Sequence, residues 1–363
     1  MTRFLALHPI PMNSGCIQKG LRRGSLSPLF RVERLLIIGC GDVGLRFLRQ
    51  QQALIQSGRL RVFVLTSSAS RIAELRALGA VPILGNLDDA ASLRRLAALA
   101  QRVLMLAPPT TVHRAWPAAF QDHKKVSCSG IFDAEKSQKQ PEKPLCDSRS
   151  LALQFALRRG LAPRQVVYAS TSGVYGDCAG AHISETQSLA PQTERAARRV
   201  GAEHIWRLSG LPLSILRIPG IYALDRQDGT PATRLAKGTP VLAAAEDVFT
   251  NHIHADDLAR ACALALFKGK RKRIYHASDD CHLKMGDYFD LAAQLLGLPA
   301  PPRLPRTQLA QVLSPMQMSF LAESRRLSNH RIKTELGLRL RYPSPAQGLQ
   351  TLTGKSVASQ KLG

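Results

Sequence analysis

The segment GCGDVG sets Gly39, Gly41 and Gly44 at the G-x-G-x-x-G spacing. Between a strand and a helix, that spacing suits a dinucleotide. The first glycine permits a tight turn, the second lets the backbone approach a pyrophosphate, and the third lets helix and strand pack closely. The helix N-terminus then offers amide donors and partial positive charge to the phosphates. We expect Gly39, Cys40, Gly41, Asp42, Val43 and Gly44 to line the site of NADP or NAD. A loop kept only for tight helix packing is the alternative.

Three further segments should border the same cofactor. VLTSSASR has Thr66 where a carboxylate would hold the adenosine ribose of NAD. Thr66, Ser67 and Arg71 suit a 2′-phosphate instead, so NADP is slightly preferred; equally, Ser68 or Ser70 caps the next helix and Arg71 faces solvent. Asn86 and Leu87 in GNLDD are expected along the adenine, with Asp88 there as a candidate helix cap. Ala107, Pro108 and Pro109 close the fourth strand beside the crevice.

Other chemistry is more dispersed. Arg195 and Arg199 lie one turn apart in PQTERAARRVGAEHIW and share a helix face. With Arg217 they form a candidate anion-binding cluster, unless helical register merely aligns them toward solvent. His252 and His254 in NHIHADD are the side chains best suited to acid/base work near neutral pH. Two histidines at i, i+2 without a Cys/His cluster do not make a metal site, so no metal is expected.

The elements that must position these residues follow from patterning. From Arg34, short apolar runs (RLLIIG, RLRVFVLTS, AVPILG, RVLMLAPP, QVVYAS, PLSILRI) alternate with amphipathic helical segments. This order predicts an α/β fold: a Rossmann-type doubly wound parallel sheet over 34–220, covered on both faces. The polar, lysine-rich stretch 120–150 breaks the alternation and reads as a flexible insertion. Residues 221–363 read mainly as a small α/β substrate-type lobe, with elements returning to the first domain. Residues 1–33 read as a disordered basic extension or a misplaced start.

Composition bounds the function. The net charge is +24, from 50 basic and 26 acidic residues. The arginines are spread along helices and no RNP-like aromatic or zinc-finger spacing occurs, so nucleic acid is not the expected partner. A basic surface would instead attract an anionic cofactor or substrate. The seven cysteines contain no CxxC, which suits a reducing, cytoplasmic setting. No apolar run has transmembrane length, so no membrane partner is expected.

Taken with the glycine loop, YASTSGVYGD, AARRVGAEHIW, IHADDLA, LRIPGIY and RRLSNHRIKTELGLRLRYPSPAQGL give a specific resemblance. From Arg34 onward the chain resembles the extended short-chain dehydrogenase/reductase superfamily. Within it, the chain looks most like the atypical NAD(P)-binding epimerase/dehydratase-like proteins, including the YeeZ-like group. The resemblance implies a Ser/Thr at Thr171 that orients substrate, and a Tyr-x-x-x-Lys pair on the next helix. Here those two positions are Arg195 and Arg199. A guanidinium is a poor proton shuttle, so the usual mechanism cannot run through Arg195. Arg199 would keep the cationic half of the Lys role toward ribose or phosphate. Tyr175 or a cleft histidine would have to supply the proton. Arg217, Tyr222, Arg226, His252 and His254 are the expected substrate-side residues. Ala223, Leu224 and Asp225 replace the usual Gly-Pro-Gly turn beside Arg226.

The expectation is an atypical oxidoreductase or epimerase-like enzyme acting on an unidentified, anionic small molecule, with a homodimer allowed. The alternative is a non-catalytic NAD(P)-binding redox sensor or scaffold.

Overall fold

The computed structural model describes residues 32–99, 101–109, 147–226 and 229–350. Its centre is a seven-stranded sheet: β1 (Glu33–Ile38), β2 (Leu60–Thr66), β3 (Val81–Leu84), β4 (Arg102–Met105), β5 (Gln165–Thr171), β6 (Leu213–Ile218) and β7 (Arg273–His276). The spatial order is β7-β6-β5-β4-β1-β2-β3, and every pairing is parallel. Order reverses at β1, which leaves a crevice beyond the carboxyl ends of β1 and β4.

The apolar runs form strands because both of their faces are covered. Leu35 and Ile37 of β1 face one side with Val62, Leu104, Val167 and Tyr275; Leu36 and Ile38 face the other with Phe63, Val103 and Tyr168. Helices α1 (Asp42–Gln50) and α5 (Ala255–Lys268) cover the first face through Phe47, Leu48, Cys262 and Leu266. Helices α2 (Ser148–Arg159) and α3 (Glu194–Leu208) cover the second through Leu153, Leu157 and Trp206. Each fully buried aliphatic side chain contributes roughly 1.5–3 kcal/mol relative to exposure.

The small lobe has its own core of Tyr222, Leu235, Val241, Tyr288, Phe289 and Leu349. It is built from α4 (Pro231–Ala236), α6 (Met285–Leu296) and short parallel strand pairs, including Gly220–Tyr222 with His252–His254. From this region β7 returns to the edge of the main sheet.

The basic extension falls almost wholly outside the described residues, but Glu33 already belongs to β1. Most of the expected insertion also lies outside them. Its last residues do not belong to a loop: Ser148–Ser150 open α2, and the Ser150 hydroxyl accepts from Trp206 Nε1 at 3.1 Å. Among the described residues no helix is long and apolar enough to cross a membrane.

Candidate functional site

A cleft of about 950 Å³ lies at the carboxyl ends of the strands, between the glycine loop and the small lobe. Its walls include Gly39, Gly41–Gly44, Pro108, Pro109, Thr171, Arg195, Arg199, Tyr222, Arg226 and His252. Residues more than two hundred positions apart therefore converge on one space.

Gly39 and Gly44 carry the turn and packing roles that their spacing implies. Gly39 has φ +83°, and a β-carbon there would sit 2.4 Å from the Ala107 amide nitrogen. At Gly44 a β-carbon would come within 2.8 Å of Cys40 Sγ, so close packing requires glycine. Gly41 differs: nothing lies within 4 Å of its missing β-carbon, which leaves open approach to the backbone. Gly41 is also the N-cap of α1 and supplies no side-chain cap, so the first-turn amides remain available. A pyrophosphate fits this arrangement. Cys40 itself is packing rather than lining; it is 3% exposed, and burial pushes its thiol up to about 11.

The segments expected around the adenosine end diverge from that reading. Thr66 is buried, and its hydroxyl is used locally, accepting from the Ser68 amide at 3.2 Å. Arg71 does not simply face solvent: it donates to the Cys40 carbonyl at 2.5 Å and pairs with Glu74. Ser67 is exposed, and none of these three lines the cleft. Leu87 is buried in the sheet core, so it is not free to meet an adenine; Asn86 is exposed and accepts from the Asp88 amide. The helix cap in GNLDD is Asp89, which accepts from Ala91 and Ser92 amides at 3.0 and 2.9 Å, while Asp88 pairs with Arg149.

Around β5, two neighbouring positions have opposite fates. Thr171 lines the cleft, and its Oγ1 accepts only a long 3.3 Å bond from Gly173 N. Ser170 Oγ donates to Glu203 at 2.5 Å, inside a closed network. There Arg217 grips Glu203 with Nε at 3.1 Å and Nη2 at 2.7 Å, and its Nη1 donates to Tyr175 Oη at 2.7 Å. Tyr175 Oη faces His276 Nε2 at 2.5 Å, and His276 Nδ1 faces the Ser328 carbonyl at 3.0 Å. A carbonyl only accepts, so Nδ1 carries the proton and Tyr175 donates to Nε2. Two expectations are corrected here. Tyr175 is 1% exposed with its phenol pushed up to about 12 by burial, so it is no substitute acid for a cleft substrate. Arg217 is 2% exposed and fully engaged by Glu203, so it is not free to bind an anion.

On α3, the Thr193 hydroxyl caps the helix and Ala202 and Trp206 pack on the sheet, leaving Arg195 and Arg199 toward the cleft. Arg199 donates to the Ala169 carbonyl at 2.6 Å and to Tyr168 Oη at 3.2 Å, beside the strand that ends in Thr171. Arg195 is exposed, with its guanidinium 4.6 Å over the Phe320 ring.

On the small-lobe side, His252 lines the cleft, stacked 4.1 Å from Tyr288, and burial lowers its pKa to about 4. His254 does not line it. Its Nδ1 accepts from Asp256 N at 3.2 Å and so caps α5, which removes it from the substrate set. Tyr222 forms part of the wall while donating to the Ser344 carbonyl at 3.2 Å. Arg226 is held to the Ile221 carbonyl, and its Nε lies 3.7 Å from Asp42 Oδ2 on the glycine helix. Asp225 and Asp256 both bind Arg46, tying this segment and α5 to α1.

Sequence patterning passed over two lining residues. Glu323 and Thr171 flank Gly173: a β-carbon on that glycine would be 3.8 Å from Glu323 Oε2 and 3.6 Å from Thr171 Oγ1. Arg325 holds the Glu323 carboxylate at 2.7 Å. Arg234, on α4, stacks 4.4 Å over Phe289, and its Nε has no hydrogen-bond partner. Neither sits in a motif; each is brought to the cleft only by the tertiary fold. Among the described residues no group of three His, Cys, Asp or Glu side chains is placed to hold a metal.

The parallel sheet with its switch-point crevice and the glycine loop at the end of β1 form a Rossmann-type α/β fold. The comparisons agree. The sequence model of the NAD dependent epimerase/dehydratase family matches residues 150–278. A functionally unknown conserved protein from Silicibacter pomeroyi is 28% identical, with a TM-score of 0.64 over 88% of this chain and 98% of that one. The dTDP-glucose 4,6-dehydratase of Streptomyces venezuelae, solved with NAD and DAU bound, shares the fold at 20% identity and TM-score 0.64, over 89% of this chain and 98% of that one. So does the UDP-glucose 4-epimerase of Thermus thermophilus, solved with NAD, at 22% identity and TM-score 0.63 over 90% and 99%. A 3-diazoavenalumate denitrifying reductase from a Streptomyces species is 28% identical over 142 residues, 39% of this chain and 46% of that protein. The match thus spans about half of that reductase.

Proposed function

We propose that this chain is an atypical NAD(P)-dependent oxidoreductase or epimerase-like enzyme of the YeeZ-like kind, acting on a small anionic molecule. One observation carries the reading: an open glycine loop, Thr171 and Arg199 share one cleft with the small-lobe wall. The backbone at Gly41 and the first turn of α1 would hold the pyrophosphate. Arg199, a permanent cation braced by the Ala169 carbonyl, would face the ribose or a phosphate. The nicotinamide, when bound, supplies or takes the hydride. Absence of a carboxylate at Thr66 supports NADP over NAD.

Thr171 would orient the reacting oxygen of the substrate. The proton cannot pass through Arg195, and Tyr175 is sealed in the interior. His252 is held neutral, with a pKa near 4 that makes it a weak base. The Glu323 carboxylate borders the same space as Thr171 and takes the proton-handling role in this reading. The four free cysteines among the described residues, Cys40, Cys178, Cys262 and Cys281, suit the cytoplasm, and a homodimer belongs to the same reading.

Fluorescence titration with NADPH and NADH tests the cofactor step; absence of binding by both at micromolar protein would end the proposal. If binding is seen, dinucleotide turnover over a panel of carbonyl compounds and nucleotide sugars tests catalysis. Glu323→Gln should then lower kcat at least tenfold with Kd for NADPH unchanged. The sensor reading is favoured by the arginine at the tyrosine position, and it predicts tight cofactor binding with no turnover across the panel.

A further inference from the structure

Arg234 is a cleft arginine with a buried guanidinium nitrogen that no described residue answers. Among the described residues its side chain has no hydrogen-bond or carboxylate partner, and its Nε is buried without an acceptor. Burial holds its pKa below the ordinary arginine value, and no carboxylate among the described residues opposes that effect. Three other wall arginines are matched: Arg198 pairs with Glu194, Arg325 with Glu323, and Arg226 reaches Asp42. Buried charges in folded proteins are paired or coordinated. The face of Phe289 at 4.4 Å offsets part of the loss of hydration, but a ring quadrupole is a weaker partner than an oxyanion.

We infer that Arg234 is the substrate's anion-binding residue and that the group it takes is a carboxylate. The inference rests on the cleft being the substrate site. The fork of guanidinium N–H groups matches the two oxygens of a carboxylate. A single positive charge in a wall of Tyr288 and Phe289 balances one negative charge; the remaining cleft arginines without acidic partners among the described residues, Arg195 and Arg199, belong to α3 rather than α4. The aromatic wall running from Phe289 through Tyr288 to His252, with ring centroids 5.2 and 4.1 Å apart, suits a flat or apolar body behind the carboxylate.

Benzoate, its neutral isostere benzamide and phenyl phosphate are the probes, titrated calorimetrically into the full chain with and without saturating NADPH. The inference expects benzoate to bind at least tenfold more tightly than benzamide. That preference should vanish in Arg234→Gln and partly survive in Arg234→Lys. Bromide soaked into wild-type crystals should give an anomalous peak against the Arg234 guanidinium, an outcome that needs no variant to fold. Equal benzoate and benzamide affinities, absence of benzoate binding at millimolar concentration, or a preference that persists in Arg234→Gln would overturn it. Tighter phenyl phosphate binding would overturn the carboxylate assignment. If NADPH fails to bind while the Arg234-dependent preference holds, the cofactor reading falls and the anion site stands. If NADPH binds and the preference is missing, only the anion site falls.

Discussion

Two arginine-bearing polar clusters flank the end of β5, and they are built on opposite principles. Behind the strand, Ser170, Glu203, Arg217, Tyr175 and His276 close on one another, each nearly or fully buried with a short-range partner. In front of it, Arg195, Arg199 and Arg234 line the cleft with no carboxylate partner among the described residues. Both clusters are chemically rich, yet only the second leaves charge for something outside the protein to answer. A satisfied network rigidifies a core, whereas an unanswered cation in a cavity wall marks a place for a ligand. The contrast can be broken or sharpened by substitution.

Its largest expected effect lies in the closed cluster. Arg217→Met would strand the Glu203 carboxylate in the interior, and removing one member of a buried pair costs about 3–5 kcal/mol. Urea denaturation should show that loss, with NADPH affinity in the folded fraction little changed. A loss below about 1 kcal/mol would mean that water reaches Glu203 and that the cluster is not closed.

Next come the two glycines that lie closest in sequence and differ most in surroundings. Gly39→Ala forces a β-carbon onto the Ala107 backbone at a positive φ, and should cost about 2–4 kcal/mol. Gly41→Ala meets no protein atom, so stability should stay within about 0.5 kcal/mol. Its methyl group would instead stand where a pyrophosphate approaches, and NADPH affinity should fall about tenfold or more. Equal stability losses in the two variants would remove the case for an open face at Gly41.

That pair also shows what could be read before any coordinates. The glycine loop is local: the tight turn at Gly39, the open face at Gly41 and the close packing at Gly44 are consequences of spacing within six residues. The sheet was legible for a similar reason, since strands covered on both faces are apolar without interruption. Tyr175 and Arg217 were not legible as interior residues, because the partners that seal them, Glu203 and His276, come from α3 and β7. His254 misled through its chemistry; it reads as an acid/base group, but a backbone amide two residues on occupies its nitrogen. Leu87 followed the same rule as any other apolar residue and turned into the core. Arg234 and Glu323 gave no signal, since neither a motif nor a periodicity announces a side chain that matters only through distant neighbours.

His276 of the closed cluster and His252 of the cleft wall should also impose a pH dependence. Burial lowers His276 from 6.5 to about 3, with Arg217, Arg331 and Arg325 adding to the effect, and lowers His252 to about 4. Both imidazoles are therefore neutral in the folded chain, while the unfolded chain protonates them near 6.5. Between those values the unfolded state binds more protons, so stability is full above pH 6.5 and is lost as pH falls toward 4 and 3. Melting temperature followed across that window should fall, and His276→Asn should flatten the slope. A slope unchanged in the variant would assign the effect to other groups.

The smallest expected effects belong to the open cluster, and they separate its two α3 positions. Arg199 is braced against the Ala169 carbonyl beside Thr171, so Arg199→Met should weaken NADPH binding about tenfold, roughly 1.4 kcal/mol. Arg195 has only the Phe320 ring, in an exposed contact whose loss costs at most about 1 kcal/mol. Arg195→Ala should therefore leave NADPH affinity unaltered and stability nearly so. The position that carries the phenol in the resembling enzymes would then be silent toward the cofactor, with any influence confined to substrate capture. Isothermal titration on the two variants side by side decides it: a cofactor loss in Arg195→Ala equal to that in Arg199→Met would show that the helix still presents both positions to the nicotinamide end, and that only the chemistry of the first has changed.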